Sequence, residues 1–85
     1  MASYSLFIKQ GAEKELMAIP KENRVRIVSK IRALASTPRP AGCEKLRGDT
    51  AFRVRQGDWR IIYEVSDEQK TVTVFKIGHR REVYR

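Results

Sequence analysis

The dipeptide Gly57-Asp58, set between two segments of alternating polarity, constrains this chain more than any other feature. A two-residue turn of this kind joins antiparallel strands and fixes their register. With Gly57 and Asp58 at the centre of the turn, Gln56 faces Trp59, Arg55 faces Arg60 and Arg53 faces Ile62. Directly opposite residues point the same way. Arg53, Arg55 and Arg60 therefore share one sheet face, and Phe52, Val54, Trp59, Ile61 and Tyr63 share the other. A polar turn over residues 66–70 leads into residues 71–77, which are rich in Val and Thr and read as a strand. A three-residue turn centred on Glu68 would pair Ser66 with Lys70. It would set Phe75 opposite Ile61, Ile77 opposite Trp59 and Lys76 opposite Arg60. The second half of the chain is thus predicted to be a three-stranded antiparallel meander with one apolar and one basic face.

The first half changes period. Residues 4–9 alternate, with Tyr4, Leu6 and Ile8 on one side, which predicts a strand ended by Gly11. Ala12, Leu16 and Ile19 then recur at helical spacing. That helix must stop before Pro20, because the residue preceding a proline is pushed out of helical geometry. Pro20 suits the start of a second helix. Arg24, Ile27, Val28, Ile31, Leu34 and Ala35 fall on one stripe of it, and the prolines of residues 36–40 end it. The expected architecture is α+β in a single domain over residues 1–85: an N-terminal strand, a two-helix hairpin, then the meander. The helices should pack on the apolar sheet face.

Length and composition narrow the classes. Eighty-five residues suffice for one small domain, and 41% hydrophobic residues are too many for a disordered chain. The longest apolar runs fall far short of the ~20 residues needed to span a bilayer. The N-terminus lacks the apolar core of a signal peptide. The single cysteine, Cys43, rules out an internal disulfide and a cysteine-rich zinc site; a small apolar packing role is its ordinary explanation. One histidine argues against a His-based metal centre. These features place the chain in the cytoplasm, without metal or cofactor.

Eighteen Lys and Arg against ten Asp and Glu give a net charge of +8, which favours a polyanionic or acidic partner. Arrangement says more than the total. Arg55 opposite Arg60 is a like-charge pair that costs a few tenths to ~1 kcal/mol. An anion placed between them reverses that cost, as on a phosphate-binding surface. Solvated charged faces are common, however, and three arginines alone do not decide between the two readings. The closing Gly78-His79-Arg80-Arg81-Glu82-Val83-Tyr84-Arg85 adds more cations and an aromatic that can stack on a base. His79 is the one histidine available to move a proton, though a strand-end histidine satisfied by packing is its simpler explanation.

Lys45-Leu46-Arg47-Gly48, the hairpin segment Arg60-Ile61-Ile62-Tyr63-Glu64-Val65 and the ending Gly78-His79-Arg80-Arg81-Glu82-Val83-Tyr84 resemble the RelE/ParE superfamily of bacterial and archaeal toxins, and its RelE branch in particular. The resemblance spans essentially the whole chain. It implies a ribosome-dependent endoribonuclease of a type II toxin–antitoxin module that cuts mRNA in the A site without a metal. In that chemistry the RNA 2′-hydroxyl attacks the adjacent phosphate and leaves a 2′,3′-cyclic phosphate and a 5′-hydroxyl. The catalytic set implied is Arg53, Arg55, Arg60, Arg80 and Tyr84. Arg60 and Arg80 would hold the scissile phosphate, and Tyr84 would stack on a base. Lys45, Arg47, His79, Arg81, Arg85, Arg26 and Lys30 would contact RNA or the ribosome. The implied partners are ribosome, mRNA and a RelB-like antitoxin that wraps a monomeric toxin in a hetero-oligomeric complex, with no membrane involved.

The family type carries lysines where this chain has Arg53 and Arg55, and arginine is a poor general base. Catalysis would then lean on electrostatics, or His79 or Tyr84 would move the proton. The chain stops at Arg85, which would leave Tyr84 on a free end. Two other readings of the sequence remain: a ParE-like inhibitor of DNA gyrase, and a basic RNA-binding module without catalysis.

Overall fold

The computed structural model describes residues 4–46, 48 and 50–79. Strand β1 (Ser5–Ile8) is followed by helices α1 (Gln10–Met17) and α2 (Lys21–Ala33). Strands β2 (Glu44–Lys45), β3 (Ala51–Gln56), β4 (Trp59–Ser66) and β5 (Thr71–His79) complete the chain. The strands form one sheet of order β1-β5-β4-β3-β2. β1 runs parallel to β5, and the other pairings are antiparallel. The expected α+β architecture holds, with β2 as an additional edge strand. Two residues are too short to show alternation, so β2 leaves no periodic signal.

Gly57 adopts φ 63°, and among the described non-glycine residues only Lys70 has a positive φ. Positive φ at the first central position alone marks a II′ turn, whose twist suits paired strands. The β3–β4 register is as expected: Gln56 with Trp59, Arg55 with Arg60 and Arg53 with Ile62.

The β4–β5 register differs from expectation. Ser66 pairs with Thr71 rather than Lys70, and Tyr63 pairs with Val74. The turn is longer than three residues: it takes up 67–70, with Lys70 at φ 57° and the Gln69 N–H donated to Ser66 Oγ at 3.2 Å. A β-bulge at Phe75 then absorbs one residue. Beyond it Ile62 pairs with Lys76, Ile61 with Ile77, Arg60 with Gly78 and Trp59 with His79. Phe75, expected opposite Ile61, has no place in the ladder and is exposed.

Helix boundaries also shift. Gly11 lies inside α1 rather than ending β1. As the second residue of the helix, Gly11 escapes the entropic cost that glycine carries in a helix interior. The Lys9 N–H, donated to Val74 O at 2.8 Å, holds the last extended residue before the helix. At its far end α1 tightens, with the Ile19 N–H bonded to Leu16 O, before Pro20 starts α2. Arg24 of α2 donates to the Met17 carbonyl at 3.3 Å, a cation at the negative end of α1. The stripe of α2 runs past Ala33 through i→i−3 bonds from Leu34 and Ala35.

The core lies between the helices and one sheet face. Ala12, Ile19, Ile27, Ile31 and Leu34 meet Phe52, Val54, Ile61, Tyr63, Val65, Val72, Val74 and Ile77. Tyr63 is fully buried, and its hydroxyl donates to Pro38 O at 2.6 Å. Burial pushes that phenol well above its ordinary pKa. At the neighbouring residue, Arg39 donates from both terminal nitrogens to Asp67 at 3.2 and 2.9 Å, and Asp67 also accepts from Tyr4 at 2.6 Å. The Arg39 hydrogen bonds, with that from Tyr4, hold the Asp67 carboxyl below the usual carboxylate range. This clasp ties β1, the β4–β5 turn and the segment after α2.

Candidate functional site

The sheet face turned away from the helices carries the arginines. Two rows cross it. Glu44, Arg53, Ile62 and Lys76 lie side by side over β2 to β5, and Arg55, Arg60 and Gly78 form the next row. Arg53 is only 9% exposed and Arg60 only 7%, whereas Arg55 is open to solvent. Buried guanidinium groups on strands have already lost most of their side-chain freedom. They are preorganised toward negative charge, and burial strengthens their field. Burial also requires that they be engaged. Arg53 Nη2 is ion-paired with Glu44 Oε1, and Arg60 is likewise not free of contacts.

The remaining expected residues are distributed differently. Lys45 pairs with Phe52, which sets it on the helix side of the sheet at the β2 edge. His79 pairs with Trp59 on the helix side, and its ring meets the indole edge-on at 5.5 Å and 88°. It therefore stands across the sheet from Arg53, Arg55 and Arg60. Lys76 does lie on the arginine face, but its Nζ is 3.0 Å from Glu15 Oε2. Arg26 and Lys30 lie on α2 and line a shallow depression with Val25, Ser29, Ala33 and Gln56, at the tip of the hairpin. Arg47, Arg80, Arg81, Tyr84 and Arg85 lie outside the described residues.

Two acidic residues escaped the sequence reading. Glu44 belongs to the strand that has no periodic signal, and only its pairing with Arg53 brings a carboxylate to the arginine face. Glu15 lies on the flank of α1 that meets β5, half-buried, and its role depends on that tertiary contact. Glu64 also projects to the arginine face by strand parity, one row beyond Ile62. Among the described residues no group of three or more His, Cys, Asp and Glu could hold a metal ion. No described helix is long and apolar enough to cross a membrane.

A helical hairpin on a mixed five-stranded sheet is the fold of the RelE toxin structures that this chain resembles. Residues 6–84 match the family described as ParE toxin of type II toxin-antitoxin system, parDE, and the chain belongs to that family. It is 38% identical over 34 residues to Toxin RelG of Mycobacterium tuberculosis, a match covering 40% of this chain and 39% of RelG. The matched segment thus spans well under half of that relative's length. A chain of the archaeal RelE-RelB complex from Pyrococcus horikoshii superposes with a TM-score of 0.80 at 27% identity, over 92% of this chain and 96% of that one. A chain of the intact E. coli RelBE toxin-antitoxin complex gives a TM-score of 0.77 at 28% identity, over 89% and 95%.

Proposed function

We propose that the chain is a RelE-like toxin that cleaves mRNA in the ribosomal A site and is neutralised by a RelB-like antitoxin. The observation that carries this is the arginine face: Arg55 directly opposite Arg60, with Arg53 and Arg60 nine-tenths buried on a rigid sheet. A fold optimised for stability alone gains nothing from that placement.

In the proposed reaction the RNA 2′-oxygen attacks phosphorus while the bond to the 5′-oxygen breaks. The 2′-proton must leave, and the departing 5′-oxygen must gain one. Negative charge gathers on the phosphorus oxygens, and Arg60 and Arg55, with Arg80, stabilise it without reorganising. None of these can accept the 2′-proton. His79 is turned toward Trp59, which removes it from that task. Glu44, held against Arg53 on the same face, supplies a carboxylate acceptor for the 2′-proton, solvent water gives a proton to the departing 5′-oxygen, and Tyr84 stacks on a base. A ribosomal target places the protein in the cytoplasm.

The antitoxin has a surface to meet. Leu16, Met17, Val25 and Val28 line an apolar groove along α1 and α2, between Arg24 and Arg32. Met17 is 64% exposed and Val25 60%. An amphipathic antitoxin segment with acidic flanks fits both the apolar floor and the basic rims. That the related RelE proteins from Pyrococcus horikoshii and E. coli were crystallised as complexes with RelB supports this partner.

The second reading is a ParE-like poison of DNA gyrase, favoured by the description of the matching family. Induction in cells separates the two. Message cut within translated codons, with toxicity lost in Arg60→Ala, Arg80→Ala and Tyr84→Ala, supports the nuclease. Broken DNA with intact message supports gyrase poisoning. If all three variants stay as toxic as wild type, the site assignment fails.

A further inference from the structure

β5 is nine residues long and β1 only four, so the parallel pairing between them ends at Ile8 and Val74. The chain then leaves the sheet edge and forms α1. Past that point the β5 edge would present backbone donors with no strand beside them. Glu15 of α1 fills the gap. Its Oε1 accepts the Ile77 N–H at 2.8 Å, and its Oε2 is 3.0 Å from Lys76 Nζ. Both contacts fall just beyond the bulge at Phe75.

The bulge decides which way the end of β5 faces. Because strand side chains alternate, one inserted residue reverses every side chain after it. With the bulge, Ile77 and His79 face the helices, and Lys76 and Gly78 lie with Arg53 and Arg60. In an unbulged ladder Ile77 and His79 would instead project among the arginines, and Gly78 would no longer be the partner of Arg60. Burial of Ile77 favours the bulged phase, and the unpaired β5 edge still needs an acceptor for its backbone donors in that phase.

We propose that Glu15 is a positioning residue that selects the bulged phase of β5, and so sets the strand surface against which Arg60 works. It touches no reacting group. The carboxylate supplies the acceptor that the missing β1 residues would have provided, and it holds Lys76 away from the arginine cluster. The catalytic part of this inference rests on the proposed nuclease function; the structural part does not.

The test compares Glu15→Ala and Glu15→Gln in the full chain by amide exchange, by nuclear Overhauser contacts between Trp59 and His79, and by kinetics on programmed ribosomes. In Glu15→Ala, exchange at Ile77 should accelerate about tenfold or more while core amides of β4 stay protected, and the Trp59–His79 contact should weaken. Cleavage should lose about tenfold or more in kcat with KM changed less than about twofold, the mark of misplacement rather than lost binding. Glu15→Gln keeps an acceptor for the Ile77 N–H and should recover most of each effect. Unchanged Ile77 exchange and an intact Trp59–His79 contact in Glu15→Ala overturn the proposal. So does a uniform loss of protection across the sheet, or a loss in KM alone, since either shows a merely structural or binding role. If the wild-type protein leaves ribosome-bound message intact, the nuclease reading and the catalytic part fall together. The exchange and contact measurements still decide whether Glu15 sets the phase of β5.

Discussion

At the scale of single residues, function and stability pull against each other on the arginine face. Arg60 is buried opposite Arg55, and removing its guanidinium should lower RNA cleavage about 100- to 1,000-fold, as loss of one preorganised charge donor does elsewhere. Single-turnover rates on ribosomes check this. Arg55→Thr relieves the like-charge pair and should raise unfolding stability by a few tenths to about 1 kcal/mol while reducing cleavage. Urea denaturation of the two proteins measures the first effect. Tyr63→Phe tests the core in the same way. It leaves the Pro38 carbonyl without its donor and should cost about 1 kcal/mol. Asp67 makes stability depend on acid. Its folded pKa is depressed, chiefly by the Arg39 hydrogen bonds. Its contribution is therefore present above the ordinary carboxylate pKa and is lost as pH falls through the folded value. Thermal melts of Asp67→Asn and wild type should differ near neutrality and converge in acid. Much of this scale was legible in the sequence, because one Gly-Asp turn sets the phase of Arg53, Arg55 and Arg60. The partners of those arginines were not, since Glu44 reaches Arg53 only through a two-residue strand.

At the scale of elements, local signals read well and joints read badly. The α2 stripe is plain in the sequence. Ile27, fully buried at its centre, should cost roughly 2–5 kcal/mol as Ile27→Ala, measured by denaturant unfolding. The β4–β5 pairing was misplaced for a definite reason. Period-2 alternation fixes a face only until a residue is inserted, and neither the 67–70 turn nor the bulge at Phe75 carries a glycine or proline to announce it. The four-residue turn and the bulge together slide β5 by two residues, so His79 rather than Ile77 stands opposite Trp59, on the same face. Gly11 misled in the opposite sense, since a glycine in the first turn of α1 looks the same in sequence as one that ends a strand.

At the scale of the whole molecule, the charge of +8 is shared between two surfaces. Residues 1–40 carry eight Lys and Arg against three acids, and among them Arg24 and Arg32 rim the apolar groove of the helices. The arginine face of the sheet lies on the opposite side. An antitoxin segment seated in the groove and RNA on the arginines would thus draw on different cations. The most direct measurement mixes purified protein with programmed ribosomes and identifies the chemical ends of the RNA. The account predicts cuts within the A-site codon bearing 2′,3′-cyclic phosphate and 5′-hydroxyl ends, absent with Arg60→Ala. Intact message on ribosomes that bind the wild-type protein would contradict it.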